Sequence, residues 1–182
     1  MDFLTIMEKR YSCRAYQDKP VSREDLKKIV EAGRLTPSAC NSQPWRFIVV
    51  DEGEALAGVR DALLLEGNMT GCPWRDQVPA FIVLCETKAK VMPVVLTYYG
   101  DSQRFAQGDI GAAAMNMCHQ AMELGLDTCI LGMNDQKKLE QVLGIPEEYT
   151  VRLLIAVGYG AQKKVQTKMR KSFDEVCSFN HW

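Results

Sequence analysis

The sequence predicts an α+β chain in which a small number of strands and helices of unequal length stack in layers. Three observations lead there. Apolar residues recur at helical spacing in several segments, and four short apolar runs have strand character. The helices between those runs differ too much in length for a regular parallel α/β repeat. No G-x-G-x-x-G follows any strand, so a Rossmann dinucleotide site is not indicated.

Residues 2–9 read as a short helix with Phe3, Leu4, Ile6 and Met7 apolar. Ser22 starts a second helix, with Asp25 three residues on in a box-like variant of the N-cap. Leu26, Ile29 and Val30 keep its helical period, and Gly33 and Pro37 are expected to close it. Arg46 to Val50 reads as a strand and Glu54 to Gly67 as a helix. Pro79 to Glu86 holds the run Ala80-Phe81-Ile82-Val83-Leu84-Cys85, a central strand flanked by proline. Residues 87–104 are ambiguous, with Val91 to Tyr99 fitting either a helix or a lid. Phe105 to Leu124 is the longest helical pattern and ends before Gly125. Thr128 to Leu131 is a short strand, and Gln136 to Leu143 a helix stopped by Gly144 and Pro146. Val151 to Tyr159 is a long apolar strand. Beyond Gly160 the chain turns basic and polar, with Phe173, Val176, Phe179 and Trp182 as scattered apolar anchors.

The chain has 182 residues, enough to bury a full core, and the length suggests one domain. Its 22 basic and 23 acidic side chains nearly cancel, which speaks against general binding to nucleic acid or a membrane surface. No stretch approaches the roughly 20 apolar residues of a membrane span. The first ten residues carry Asp2 and Glu8 within an amphipathic pattern and do not read as a signal peptide. Seven cysteines occur without C-x-x-C spacing and with only two histidines, so no zinc, iron–sulfur or other metal site is expected. They read as small buried hydrophobes in a reducing cytoplasm.

Four constellations could carry chemistry. In Arg10-Tyr11-Ser12-Cys13-Arg14, two guanidiniums flank a hydroxyl, a set suited to a phosphate and equally to a solvated basic turn. The loop Pro37-Ser38-Ala39-Cys40-Asn41-Ser42-Gln43-Pro44-Trp45 is stiffened by two prolines and offers paired amides. Such a loop suits the edge of a flat polar heterocycle, or else a connection whose Trp45 packs in the core. Lys168-Met169-Arg170 is a basic pair that could close a phosphate cage with Arg10 and Ser12, or be an ordinary basic tail. Thr128-Cys129-Ile130-Leu131-Gly132 is a strand ending in a glycine, which can present bare backbone N–H groups to a ligand.

In this order and separation the four resemble the nitroreductase family of FMN-dependent NAD(P)H oxidoreductases. The likeness covers nearly the whole chain. It rests on Arg10-x-Ser12-x-Arg14, Pro37-Ser38-Ala39 with Asn41-x-Gln43-Pro44-Trp45, Asp109-Ile110-Gly111-Ala112-Ala113 and Gly125-Leu126-Asp127-Thr128-Cys129-Ile130-Leu131-Gly132. Leu143-Gly144-Ile145-Pro146, Gly158-Tyr159 and Lys168-x-Arg170 complete it.

The resemblance implies a three-layer α/β/α sandwich with a mostly antiparallel central sheet. It implies one domain over residues 1–182 and a domain-swapped homodimer, with residues 160–182 an extension that wraps the partner and buries Phe173, Phe179 and Trp182. It implies FMN at the interface. Arg10, Ser12, Lys168 and Arg170 would hold the phosphate beside Tyr11, and Arg14 would reach the pyrimidine side of the ring. Pro37, Ser38, Ala39, Asn41 and Gln43 would cover the ring, the loop coming from the partner. Ile130, Leu131 and Gly132 would lie along it, the last two through backbone N–H groups. Arg75 is expected at the pyrimidine edge or as a surface charge, with Asn68 a weaker candidate. The small residues Gly111 to Ala114 suit a close helix–helix dimer core, whereas Met115, Met117, Cys118, Met122 and His119 read as structural. Tyr98, Tyr99 and Phe105 are candidate pocket walls, or core or dimer packing. The implied activity is ping-pong hydride transfer from NAD(P)H to nitroaromatics, quinones or similar electrophiles. A specialised flavin reaction (dehalogenation, azoline dehydrogenation, flavin fragmentation) and a non-catalytic FMN module are the alternatives.

Overall fold

Strand β2 (Ala80–Glu86) is buried at every position, as its unbroken apolar run predicts. It pairs antiparallel with β1 (Trp45–Val50) on one side and with β4 (Thr150–Gly158) on the other. β4 pairs antiparallel with β3 (Asp127–Leu131), so the sheet order is β1-β2-β4-β3. These pairings come from a computed structural model, which describes residues 2–65, 69–161 and 167–182.

Alternate residues of β2 point to opposite faces, and each face has its own core. On one face Ala80, Ile82 and Leu84 meet Ile155 and Val157 of β4 beneath two long helices. These are α2 (Arg23–Arg34) and α5 (Ala106–Glu123), which contribute Leu26, Ile29, Ile110, Met117 and Ala121. On the other face Phe81, Val83 and Cys85 meet Leu154 and Ala156 beneath α3 (Gly53–Ala62) and α6 (Gln136–Leu143). The result is the three-layer α/β/α arrangement with an antiparallel sheet that the sequence implies.

The outer edge of β3 is covered by the segment after α1 (Phe3–Lys9). Ser12 bridges Thr128 in parallel, and the Cys13 N–H donates to the Thr128 carbonyl at 2.9 Å. Further on, Tyr16 bridges Gly160, and the Gln17 N–H donates to the Tyr159 carbonyl at 2.8 Å. This strip satisfies an edge that would otherwise expose unpaired backbone groups.

Local chemistry accounts for most boundaries. Ser22 caps α2, its hydroxyl accepting from the Asp25 N–H at 3.1 Å. Gly144 ends α6 in the left-handed region at φ 60°. The ambiguous stretch contains a helix, α4 (Pro93–Tyr99), and the tail a single turn, α7 (Phe173–Val176), with a Ser172–Glu175 capping box. Five cysteines are buried and none is in a disulfide, with burial pushing Cys85 up to about 11 and Cys72 up to about 12. Among the described residues no helix is long and apolar enough to cross a membrane.

Three expectations need correction. α3 ends at Ala62, well before Gly67, because Thr70 folds back to donate to the Leu63 carbonyl at 2.7 Å. The expected end at Gly67, and Asn68 with it, lie outside the described residues. Gly33 does not close α2 but sits within it, against α5. A Cβ there would lie 3.0 Å from Met117 Cγ and nearer still to Met117 Cε, so its lack of a side chain allows the two helices to touch. The small-residue face of α5 is also divided. Ala113 and Ala114 are fully buried in this chain's own core, and only Gly111 and Ala112 remain toward the outside.

Met117 is fully buried and has no room to retreat. Gly33→Val is therefore expected to lower the unfolding free energy by about 1–3 kcal/mol despite its better helix propensity. Urea denaturation would measure it, and an unchanged midpoint would show that α2 and α5 do not meet at this point.

Candidate active site

Helix α1 ends at Arg10, which is its C-cap, and the chain then runs along β3. That course places Arg10, Tyr11, Ser12 and Arg14 opposite the segment that carries Lys168 and Arg170. Together with Thr167 and Met169 they line a cleft of about 270 Å³. Among the described residues none of the four cations is in a salt bridge. Arg14 donates weakly to the Ser12 carbonyl at 3.5 Å, Arg170 to the Met169 carbonyl at 2.7 Å, and Lys168 to the Met7 carbonyl. Burial first, then the positive charges of Arg10 and Arg170, hold the Lys168 ammonium below the usual lysine range. The same field reaches His119, whose imidazole is held low by burial and then by Arg10 and Lys168. Glu8 offsets this only as the smallest of the influences on Lys168. Like charges gathered without a salt bridge repel one another, and a bound anion relieves that repulsion.

The floor continues along β3. Ser12 stands opposite Thr128 in a parallel bridge, and Arg14 follows two residues on, close enough for its charge to act on Cys129 of β3. There the Arg14 guanidinium partly offsets the upward push of burial on the thiol. Leu131 is buried and Gly132 exposed, so the end of the strand turns its backbone outward. Arg75 lies in a tight turn, Arg75–Gln77, with its guanidinium 3.9 Å from Asp76. It acts on Cys72, which in turn interacts with Cys129. Only a fifth of the Arg75 side chain is exposed (21%), which argues against an idle surface charge.

The loop at residues 37–43 is elsewhere. It contains three non-glycine residues in the left-handed region: Cys40 at φ 54°, Asn41 at φ 50° and Gln43 at φ 43°. Each costs on the order of 1–2 kcal/mol, and such strain persists only where the surroundings enforce it. Here the Ser38 hydroxyl accepts from the Gln43 N–H at 2.9 Å, and the Asp109 carboxylate accepts from the Ala39 N–H at 3.1 Å. Gln43 Nε2 donates to Asn41 Oδ1 at 3.1 Å, while Asn41 Nδ2 and Gln43 Oε1 have no partner among the described residues. Pro37, Asn41 and Gln43 are exposed, and Ser38 and Ala39 half-buried. Trp45 is only half-buried, stacked on Phe47 with ring centroids 5.9 Å apart at the margin of the core.

Helix α5 measures the separation. Asp109 is in its first turn, whereas Arg10 acts on Cys118 and His119 near its far end. Ten residues of α-helix span about 15 Å. Within one chain the structure thus brings Arg10, Tyr11, Ser12, Arg14, Lys168 and Arg170 together, beside the part of β3 that carries Thr128 and Cys129. It does not bring Pro37, Ser38, Ala39, Asn41 or Gln43 to them.

Beside that loop stands the α4 arm. Thr87 N–H donates to the Pro44 carbonyl at 3.1 Å, and the arm returns directly into α5. Its base is held by Glu86, a buried carboxylate paired with Arg152 at 2.6 Å and with Gln103 Nε2 at 2.6 Å. α4 buries no residue. Tyr98, Tyr99 and Phe105 are exposed and form an edge-to-face series, with centroids 4.8 and 5.6 Å apart. Their alternative reading as core packing is therefore wrong for this chain.

Comparison with known proteins bears on the family and the fold. The family model described as the nitroreductase family matches residues 7–159. The chain belongs to the nitroreductase family. An Archaeoglobus fulgidus protein with the provisional name NADH dehydrogenase/NAD(P)H nitroreductase is 34% identical over 165 residues, covering 88% of this chain and 87% of that protein. A solved nitroreductase family protein from Streptococcus pneumoniae superposes with a TM-score of 0.83 at 25% identity, over 97% of this chain and 99% of the other. A solved Clostridium difficile protein described as an FMN-dependent nitroreductase gives a TM-score of 0.79 at 26% identity, over 98% and 99%.

Sequence reasoning missed Thr167 as a cleft wall and Gln103 as a support, and it singled out Asp109 and Asp127 within motifs without giving either a role. Inorganic phosphate is expected to raise the thermal midpoint by roughly 2–4 °C at concentrations about tenfold above its Kd. The combined Arg10→Ala and Lys168→Ala variant should lose that rise. A rise that persists in the variant would place the anion elsewhere.

Proposed function

We propose that this nitroreductase-family chain is an FMN-dependent NAD(P)H oxidoreductase that reduces electron-poor acceptors such as nitroaromatics and quinones. The observation that carries the reading is the cradle of Arg10, Arg14, Lys168 and Arg170, four cations lining one cleft with none of them in a salt bridge among the described residues. A phosphate monoester carries close to two negative charges at neutral pH and takes several directed donors, which is what guanidiniums and the Ser12 hydroxyl supply.

The dimensions support a shared site. About 270 Å³ is less than the roughly 300–1,000 Å³ of clefts that enclose a whole ligand. The cradle therefore suits the phosphate end of FMN, and a ring extending from it along β3 needs a second wall. The strained loop at residues 37–43 has the unpaired amide groups to serve as that wall. Since it lies about 15 Å away along α5 in its own chain, the loop of a second copy supplies it, and the site belongs to a homodimer.

When bound, FMN supplies a ring nitrogen that takes hydride from the nicotinamide and gives it to the acceptor. The chain's own part is to bind, orient and tune. Arg10, Ser12, Lys168 and Arg170 anchor the phosphate, with Tyr11 as a wall. Arg14, whose charge reaches Cys129 of β3, would set a positive charge beside the ring, where it favours electron uptake. Arg75, Leu131 and Gly132 border the same side. The electron-rich faces of Tyr98 and Tyr99 suit stacking with electron-poor aromatics. No side chain is needed as a general acid, because solvent can reach the exposed end of β3 at Gly132.

The test begins with a visible spectrum of protein incubated with FMN, followed by anaerobic addition of NADH or NADPH. The reading expects a flavin spectrum that bleaches with either nicotinamide and recovers on addition of a nitroaromatic or quinone. A flavin that stays oxidised in the presence of both nicotinamides would contradict it. Arg10→Ala or Arg170→Ala should weaken FMN by about 10–100-fold, the range of a lost charge-assisted bond, and leave riboflavin, which has no phosphate, unaffected.

A further inference from the structure

Asp127 opens β3 beside the cradle, half-buried. Burial pushes its carboxyl up, and among the described residues it is in no salt bridge. Its Oδ2 instead accepts from the Gly160 N–H at 3.1 Å. A Cβ on Gly160 would lie 2.9 Å from Tyr11 Oη and nearer still to Asp127 Oδ2. The bare glycine backbone is thus wedged between the two side chains. The other side of the same turn is also tied down. Gln17 Nε2 donates to the Gly160 carbonyl at 2.8 Å, and the Ala161 N–H donates to the Ala15 carbonyl at 2.9 Å.

We propose that Asp127 is a positioning residue for the anion cradle, clamping Gly160 against Tyr11 so that the two cation-bearing strips stay in register. This rests on the phosphate-binding reading above. Tyr11 is flanked in sequence by Arg10 and Ser12, the first half of the cradle. Gly160 is where the chain leaves β4 on its way to Lys168 and Arg170, the second half. Directed guanidinium contacts weaken steeply when the donor is displaced, so the fixed start of this connection decides whether both halves meet one phosphate. The carboxylate serves this purpose because it is spent on a backbone N–H. An acid that paired with Arg10 or Lys168 would cancel the charge the cradle needs.

The test compares wild type, Asp127→Ala, Asp127→Asn and Gly160→Ala by fluorescence titration with FMN and with riboflavin. Amide exchange of Gly160 and Ala161 is followed in the flavin-free proteins. Asp127→Ala should weaken FMN at least about tenfold and leave riboflavin affinity unchanged, because the loss falls on the phosphate end. Asp127→Asn, whose amide oxygen can accept the same N–H, should recover to within about threefold of wild type. Gly160→Ala keeps every charge and opens the clamp by contact alone, so it should show the same FMN-selective loss. Exchange at Gly160 and Ala161 should quicken in Asp127→Ala and Gly160→Ala. Unchanged exchange, unchanged FMN affinity, or equal loss of FMN and riboflavin would each overturn the clamp and leave the functional reading standing. Wild-type protein that binds no FMN would instead sink that reading. The clamp is then decided by whether Asp127→Ala abolishes stabilisation by inorganic phosphate, and retained stabilisation overturns it.

Discussion

Burial of α5 along one face of the sheet keeps the two halves of the candidate site apart. Near its start, the Asp109 carboxylate grips the strained loop through the Ala39 N–H. Near its end, Cys118 and His119 lie under the field of Arg10. Ile110, Ala113, Ala114, Met117 and Ala121 are fully or almost fully buried between these points, so the helix cannot shorten or tilt to bring the ends together. Its contact with α2 at Gly33 removes the remaining slack. A chain built this way offers a phosphate grip at one end and an amide-bearing loop at the other. A second copy, related by a two-fold axis, can set each loop against the other's grip.

The electrostatics follow the same division. Asp127, at the cradle end, accepts from the Gly160 N–H and is in no salt bridge among the described residues, whereas Glu86, at the loop end, pairs with Arg152 and Gln103 at the base of the α4 arm. The cradle therefore keeps its positive charge, at the expense of a Lys168 ammonium made less favourable by its neighbours. Backbone strain is stored at the other end, in Cys40, Asn41 and Gln43. Both terms oppose folding of the isolated chain, and a ligand bridging two copies relieves the first of them.

Much of this was legible in the amino-acid sequence. The run Ala80 to Cys85 could only be a doubly covered strand, and Ser22 with Asp25 marked the start of α2 to the residue. The gathering of Arg10, Ser12, Arg14, Lys168 and Arg170 in one cleft could be anticipated because paired cations around a serine have a small set of uses. Gly33 misled because a glycine near a helix end suggests termination, whereas this one makes room for Met117, a contact 84 residues away in the chain that no local pattern reveals. The small residues of α5 misled for a related reason. Alanine allows close packing without saying against what, and Ala113 and Ala114 turned out to face the chain's own sheet. Asp127 stood in a motif without a role, since its bond to Gly160, just past the end of β4, joins residues 33 apart in the chain. The α4 arm was ambiguous because α4 buries nothing, so its amphipathic signal was absent.

The claim that two chains complete one site is tested most directly with hybrid dimers. One tagged chain would carry Arg10→Ala and Lys168→Ala, and a differently tagged chain Ser38→Ala and Asn41→Ala. Each parent alone should bind FMN poorly. Tandem-purified hybrids should regain one tight site, about one flavin per dimer, because the intact grip of one chain meets the intact loop of the other. Hybrids that bind no more flavin than either parent would show that grip and loop act within a single chain, and would contradict this account.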